Sequence, residues 1–339
     1  MKKLLALILS LITIFSLSVF SACDNGDGVK LSVYAPDGAP ALSIARLIND
    51  KDILDDKFSF NVVVASTINT FVTGENPTAD ICIMPVNASV KVLGSGNTYK
   101  MLGTVTNGNL YLLKKQGNAD INSTSDLTNL IGKTVGVINL ANVPGLTFKA
   151  ILKDNDIGYV DFNSGADATG KVTLKGLTNG TQVVPSSDCD YFVVPEPAFT
   201  TKINATSGAL TSAGNLQALY GDGQGYPQAV VVAKNSVIEN NKDLVDAFIN
   251  TFTENKNWLL AETTSSETIL SAITSAFKEE GTAPTFTANN LNKTVINNCA
   301  ISFTSAINAK AKVLAYMNKI NGVGTSSFGT PNDNFFYQG

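Results

Sequence analysis

The 339-residue chain contains no histidine. That gap excludes a Ser-His-Asp triad, a Cys-His dyad, an imidazole-ligated zinc or iron site, and an imidazole acid or base working near neutral pH. Cysteine is scarce as well, and Cys23, Cys82, Cys189 and Cys299 stand too far apart for a CxxC metal or redox motif. Cys23 belongs to an N-terminal signal. The three that remain cannot all pair within one chain, and Cys82 sits in an apolar run where a thiol behaves as a small buried hydrophobe. Neither a disulfide framework nor a metal site is expected. Basic clusters are missing too: the net charge of −4 is mildly acidic, which argues against nucleic acid as a partner. Beyond the first 20 residues no stretch is both long enough and free enough of charge to span a bilayer.

The N-terminus carries the strongest positive signal. Lys2 and Lys3 precede an uncharged apolar run, Leu4 to Phe20, that closes on Phe20-Ser21-Ala22-Cys23. This pattern is that of a lipoprotein export signal over residues 1–22, with cleavage leaving Cys23 as the lipid-bearing first residue. An uncleaved membrane anchor is the alternative, but it does not explain small residues placed directly before a cysteine. Residues 23–29 include Asp24-Asn25-Gly26-Asp27-Gly28, a polar, glycine-bearing stretch that reads as a flexible tether.

The chain beyond the tether is about twice a typical domain length, so two domains are expected. Short apolar strands alternate with helical patterns, which predicts α/β architecture with mostly parallel sheets. Strands are expected at Lys30–Ala35, Phe58–Ala65, Asp80–Pro85 and Lys100–Val105, with helices at Ala41–Asp50, Ser66–Thr73 and Asn87–Leu93. From Leu110 a second set begins, with strands near Lys133–Ile138, Tyr159–Phe162, Val172–Leu174 and Tyr191–Val194, and helices at Ser125–Ile131, Gly145–Lys153 and Pro197–Asn204. After a strand at Gln228–Lys234 the pattern turns helical, over Asp243–Glu262, Glu267–Glu280, Ala288–Asn297 and Ser305–Ile320. Phe248 and Phe252 share a helical face and Trp258 comes six residues later, all three reading as core.

An internal likeness organises these elements. Gly38-Ala39-Pro40-Ala41-Leu42 opens a helix, and 45 residues after Pro40 a strand of the form Asp-φ-φ-φ-φ-Pro, φ being apolar, ends at Pro85. Asn142-Val143-Pro144-Gly145-Leu146 opens another, and 51 residues after Pro144 the same form recurs as Asp190-Tyr191-Phe192-Val193-Val194-Pro195. Proline suits the first helical turn, where its missing N–H costs nothing. Two equivalent lobes are implied, and since open parallel sheets bind ligands beyond the carboxyl ends of their strands, a cleft between the lobes is the expected site.

The segments Tyr34–Leu42, Asp80–Ala88, Gly132-Lys133-Thr134-Val135-Gly136 and Val194-Pro195-Glu196-Pro197 resemble the type II periplasmic-binding-protein fold. The nearest group is that of the nitrate, sulfonate, taurine and thiamine-precursor receptors of ABC importers, and the likeness runs over most of residues 30–339. The resemblance implies a first lobe built from residues 30–106 and 228–339, a second lobe of residues 107–227, and a hinge where the chain crosses near Thr104–Leu110 and Gly223–Gln228. It implies a monomeric receptor tethered outside the cell through lipid alone, with a small-molecule ligand, an ABC permease as partner and no cofactor. An enzyme on the same fold, of the menaquinone-pathway kind, is the alternative. Thiamine-pyrimidine synthases of this fold consume a histidine of their own, which this chain lacks.

The resemblance places Asp37, Gly38, Ala39, Pro40, Pro85, Val86 and Asn87 on one wall of the cleft. It places Asn139, Asn142, Val143, Pro144, Pro195 and Glu196 on the other, with Asn107 and Tyr226 near the hinge. An oxyanion receptor would be expected to add Arg or Lys here, yet no residue in this set is basic, and Asp37 and Glu196 are acidic. The expected ligand is therefore a neutral or amine-bearing organic molecule, with a heteroaromatic vitamin precursor as one candidate, over a sulfonate or nitrate.

Overall fold

A computed structural model describes residues 30–279, 281–325 and 327–339. The export signal expected over residues 1–22, Cys23 and the whole tether of residues 23–29 lie outside these described residues. The chain opens with β1 (Leu31–Pro36), two short helices α1 (Ala39–Leu42) and α2 (Ala45–Asn49), β2 (Phe58–Val63), β3 (Ile81–Pro85), α3 (Val86–Leu93) and β4 (Tyr99–Thr106). It continues through β5 (Leu110–Lys115), β6 (Thr134–Ile138), α4 (Val143–Asp154), β7 (Tyr159–Asp161), β8 (Val172–Leu177), β9 (Tyr191–Pro195), α5 (Ala198–Ala205), β10 (Leu210–Asn215) and α6 (Leu216–Leu219). It ends with β11 (Ala229–Lys234), α7 (Asn235–Asn240), α8 (Lys242–Leu260), α9 (Ser266–Ala276), α10 (Lys293–Asn298), β12 (Ile301–Ser305) and α11 (Ala306–Asn321).

Two six-stranded sheets result, in the orders β12-β4-β11-β3-β1-β2 and β10-β5-β9-β6-β8-β7. They are mixed rather than mostly parallel. In the first, β1 runs parallel to β2 and β3, whereas β11 is antiparallel to both β3 and β4, and β12 to β4. In the second, β6 is parallel to β8 and β9 and β7 to β8, whereas β5 is antiparallel to β9 and β10. The reason lies in the crossings. β5 and β11 each enter from the other lobe, so they arrive from the end opposite to that at which the local crossovers deliver strands. The five-strand orders β2-β1-β3-β11-β4 and β8-β6-β9-β5-β10 match in sequence and in direction, which gives two equivalent α/β lobes.

Where the helical expectations shrink, local hydrogen bonds mark three of the cases. The helix expected over Ala41–Asp50 breaks at Ser43-Ile44, where the Ser43 hydroxyl donates to the Pro40 carbonyl at 2.6 Å and competes with the helical ladder. In place of the helix expected over Ser125–Ile131, a 3-10 helix forms over Thr124–Leu130, held by the Ser123/Asp126 capping box. Ser66–Thr73 reduces to a single 3-10 turn at Ile68–Phe71. The helix expected over Ala288–Asn297 is only Lys293–Asn298, begun by the Asn292 side chain accepting from the Val295 N–H at 3.0 Å.

The core of each sheet is apolar on both faces, as strands covered by helices on either side require. Phe248 and Phe252 are buried with their rings edge to face at 5.2 Å, and Trp258 packs partly buried against the same core. Cys82, Cys189 and Cys299 are free and buried. Tyr220, Tyr226 and Tyr316 form an aromatic cluster across the lobes, with the Tyr226 ring stacked on Tyr316 at 5.7 Å. The Tyr316 hydroxyl also meets Thr147 Oγ1 of α4 at 2.7 Å, so α11 packs on both lobes at once.

Candidate functional site

The two Asp-φ-φ-φ-φ-Pro segments perform the same mechanical task. Asp80 Oδ2 accepts from the Ser32 N–H at 2.9 Å and stitches the start of β3 to β1, while Asp190 Oδ2 accepts from the Thr134 N–H at 2.9 Å and stitches β9 to β6. At the other end of each strand, the residue after the proline ties the lobe to the crossing segment. The Val86 N–H donates to the Gln228 carbonyl at 3.0 Å, and the Glu196 N–H donates to the Asn109 carbonyl at 3.2 Å. Gln228 and Asn109 each directly precede the antiparallel strand of a lobe, β11 or β5, so they are equivalent, as are Val86 and Glu196. The two carboxamides also meet each other, Gln228 Nε2 donating to Asn109 Oδ1 at 3.0 Å. These bonds bring the strand ends of both lobes to one floor.

On that floor the symmetry is broken by charge. Val86 is fully buried, as its position after a core strand dictates, but the equivalent Glu196 is also buried, at 3% exposure. Glu196 Oε1 accepts from Thr200 Oγ1 at 2.7 Å and from Asn298 Nδ2 at 2.7 Å, and Oε2 accepts from the Thr200 N–H at 3.2 Å. All three donors are neutral. Among the described residues no Lys or Arg forms an ion pair with it. Hydrogen bonds to a charged group contribute about 1.5–3 kcal/mol each, whereas a buried ion without a counter-ion costs several kcal/mol. The field of this carboxylate is felt nearby. Burial first, and the Glu196 charge second, raise the Tyr111 phenol and the Cys299 thiol above their ordinary ranges. Tyr111 therefore stays a neutral donor, and its hydroxyl donates to the Asn298 carbonyl at 2.8 Å.

Glu196 and Asn298 join the two lobes, because Asn298 ends α10 of the first lobe and Glu196 comes directly after β9 of the second. A cavity of about 320 Å³ opens on one side, between Thr200, Thr201 and Asn204 of α5 and the loop carrying Thr287 and Asn290. Another of about 330 Å³, lined by Tyr111, Asn215, Gln217, Lys256, Asn298 and Ser302 among others, opens on the hinge side. Both volumes fall at the lower end of small-molecule sites, about 300–1,000 Å³. Each residue that bonds the Glu196 carboxylate lines one of them, Thr200 the first and Asn298 the second.

Of the residues expected from sequence, Pro85 and Asn87 lie at the β3 end, and Asn87 is buried with no side-chain hydrogen bond among the described residues. Asp37 is occupied: its carboxylate accepts from the Gly38 N–H at 2.8 Å and from the Thr285 N–H at 2.6 Å, which draws the Thr285 loop over the start of α1. Gly38 has φ +96°, a backbone conformation open to glycine, while Ala39 is buried and Pro40 half-buried. Asn139 and Asn142 are exposed at the β6 end, followed by buried Val143 and half-buried Pro144. No hydrogen bond among the described residues joins this group to Asp37–Pro40. Asn107 lines the hinge-side cavity and donates to Ser302 Oγ at 2.6 Å. Tyr226 is fully buried in the tyrosine cluster, so its ring packs against tyrosines and does not face a cleft.

Sequence reasoning missed Asn298, Tyr111, Thr200, Asn109 and Gln228. Thr200 had a readable signal, since it stands four residues after Glu196 at the entry of a helix, where a side chain bonds free N–H groups. Among the described residues no group of three Cys, Asp or Glu side chains converges on a metal site, and no helix is long and apolar enough to cross a membrane.

Strand order, the paired crossings and the strand-end floor define the two-lobed α/β periplasmic-binding-protein fold. No protein-family model matches the sequence, and no curated protein is detectably similar to it in sequence. Solved structures are similar to it in fold. An ABC transporter protein from Parabacteroides distasonis aligns with a TM-score of 0.69 at 18% identity, covering 92% of this chain and 99% of its own. The periplasmic aliphatic sulphonate-binding protein of Escherichia coli aligns with a TM-score of 0.61 at 12% identity, over 92% and 93% of the two chains. The ligand-binding component of an ABC-type import system from Staphylococcus aureus gives 0.53 at 10% identity, over 91% and 97%. At these identities the likeness establishes the fold and leaves the solute open.

Proposed function

We propose that this chain is the extracytoplasmic solute receptor of an ABC-type importer, which captures a neutral or amine-bearing small organic molecule between its lobes and presents it to a permease. One observation carries this reading: a buried strand-end carboxylate, Glu196, meets the opposite lobe at Asn298 between two small-molecule-sized cavities. The solute would hold the lobes together, with residues 30–106 and 228–339 moving against residues 107–227 about the crossing segments. The solved transport proteins of the same fold support a receptor over an enzyme. A vitamin precursor remains one member of the proposed solute class. The test is whether the mature protein, exposed to mixed solutes, retains one compound per molecule and returns it chemically unchanged.

A receptor for an oxyanion is the competing reading, and Lys256, the one cation lining either cavity among the described residues, is the observation for it. Lys256 is exposed, whereas Glu196 is buried, and a buried charge acts through a lower dielectric. The carboxylate therefore outweighs the lysine in setting the sign of the site.

Membrane attachment is part of the same proposal and rests on Phe20-Ser21-Ala22-Cys23. Cells expressing the wild type should incorporate radiolabelled fatty acid into the protein, and Cys23→Ala should abolish the label. Label persisting in Cys23→Ala would remove the lipid anchor from the account.

A further inference from the structure

We infer that the solute carries a protonated amine that pairs with Glu196, and that Asn298 Nδ2 occupies the place of that amine in the solute-free protein; this rests on the receptor reading. Three observations converge. The carboxylate is buried, and among the described residues only neutral donors bond it. The fold does not call for it, because Val86 fills the equivalent position of the other lobe and makes the same backbone bond to the crossing segment. On the same floor Gln228 Oε1 is buried and has no donor among the described residues. A buried anion and an orphaned acceptor both require a donor-rich, positively charged group, which a primary or secondary ammonium supplies.

The position of Asn298 gives the exchange a geometry. Its side-chain amide reaches Glu196 at 2.7 Å from the hinge-side cavity, while Thr200 reaches the same carboxylate from the cavity along α5. An ammonium replacing the amide would keep the Thr200 bonds and exchange a neutral donor for a charged one. An anionic head group at this point would face the carboxylate directly and be repelled. The same repulsion excludes a sulfonate or carboxylate as the group that meets Glu196.

The probe is deproteinised yeast extract, separated at pH 7 into cation-exchanger-bound, anion-exchanger-bound and unretained fractions, each added to the mature protein in a thermal-unfolding assay. The cation-bound fraction should raise Tm by at least about 3 °C, keep this effect after passage over a metal-chelating resin, and lose it after acetylation of its amines. Glu196→Gln should lose the shift, while Glu196→Asp, which keeps the charge on a shorter arm, should retain a smaller one. Stabilisation by the anion-bound or unretained fraction alone overturns the amine and leaves the receptor standing. Loss on the chelating resin assigns the site to a metal cation and overturns it too, as does a full shift in Glu196→Gln. Stabilisation by no fraction overturns the receptor reading and this inference with it. Should Glu196→Gln fail to fold, the fraction, resin and acetylation arms decide on wild-type protein.

Discussion

Tyr226→Ala is expected to destabilise the protein by about 3–5 kcal/mol, the usual cost of deleting a buried aromatic ring. The ring has no exposed surface, lies stacked on Tyr316 with 12° between planes, and meets Tyr220 edge-on at 5.4 Å. Its loss leaves a cavity where the second crossing segment, just before β11, packs against α11, and α11 is bonded in turn to α4. Neighbouring structure cannot fill that gap, because both lobes are anchored there. For chains of somewhat smaller size each kcal/mol moves Tm by about 2–4 °C, so a fall of roughly 6–20 °C is expected. Tyr226→Phe should cost less, since it keeps the stacked ring and loses a phenol whose side-chain contact, to Gln217 Oε1, is a long one at 3.4 Å. Thermal unfolding followed by circular dichroism checks both. A Tm for Tyr226→Ala within about 1–2 °C of wild type, well short of that scale, would mean that the tyrosine cluster does not hold the crossing.

The second large effect concerns binding. Glu196→Ala and Asn87→Ala should each weaken solute binding by about 5- to 150-fold, corresponding to roughly 1–3 kcal/mol for a lost buried polar partner. Glu196 contributes a buried charge in the second lobe, and Asn87 a buried side chain without a side-chain hydrogen bond among the described residues, on the first turn of α3. Glu196→Ala should keep the wild-type circular dichroism spectrum, because Val86 shows that the equivalent place accepts an apolar side chain. Calorimetry with the compound retained by the wild type measures the change. If both variants bind as the wild type does, the solute lies elsewhere, and the hinge-side cavity beside Lys256 becomes the place to look.

How much of this was legible in the sequence can be argued from particular residues. The Asp-φ-φ-φ-φ-Pro repeat marked β3 and β9, since apolar runs buried on both faces and punctuated by proline have few other readings. It also located Glu196, directly after the second proline. The edge strands β10 and β12 were not legible. Leu210–Asn215 and Ile301–Ser305 are rich in Ser, Thr, Asn and Gly, and an edge strand buried on one side only need not alternate cleanly. The antiparallel course of β5 and β11 was hidden for a different reason: direction in a sheet depends on the end at which a strand enters, which is set by the crossings and leaves no mark on the strand itself.

The site divided along the same line. Residues adjacent to a repeated motif could be named, whereas Asn298, Tyr111, Asn109 and Gln228 reach the floor through pairings over long sequence separations. Tyr226 shows the converse. Its position near a crossing suggested a binding role, but a phenol ring beside Tyr220 and Tyr316 buries more area by packing than by facing solvent.

Native mass spectrometry of the mature protein after exposure to deproteinised yeast extract and desalting tests the central claim most directly. The account predicts a one-to-one non-covalent complex, lost in Glu196→Ala, from which collisional release frees a compound of the same mass as one present in the extract. Recovery of unliganded protein alone, or release of a compound that the extract did not contain, would contradict a solute receptor, the latter result in favour of an enzyme on the same fold.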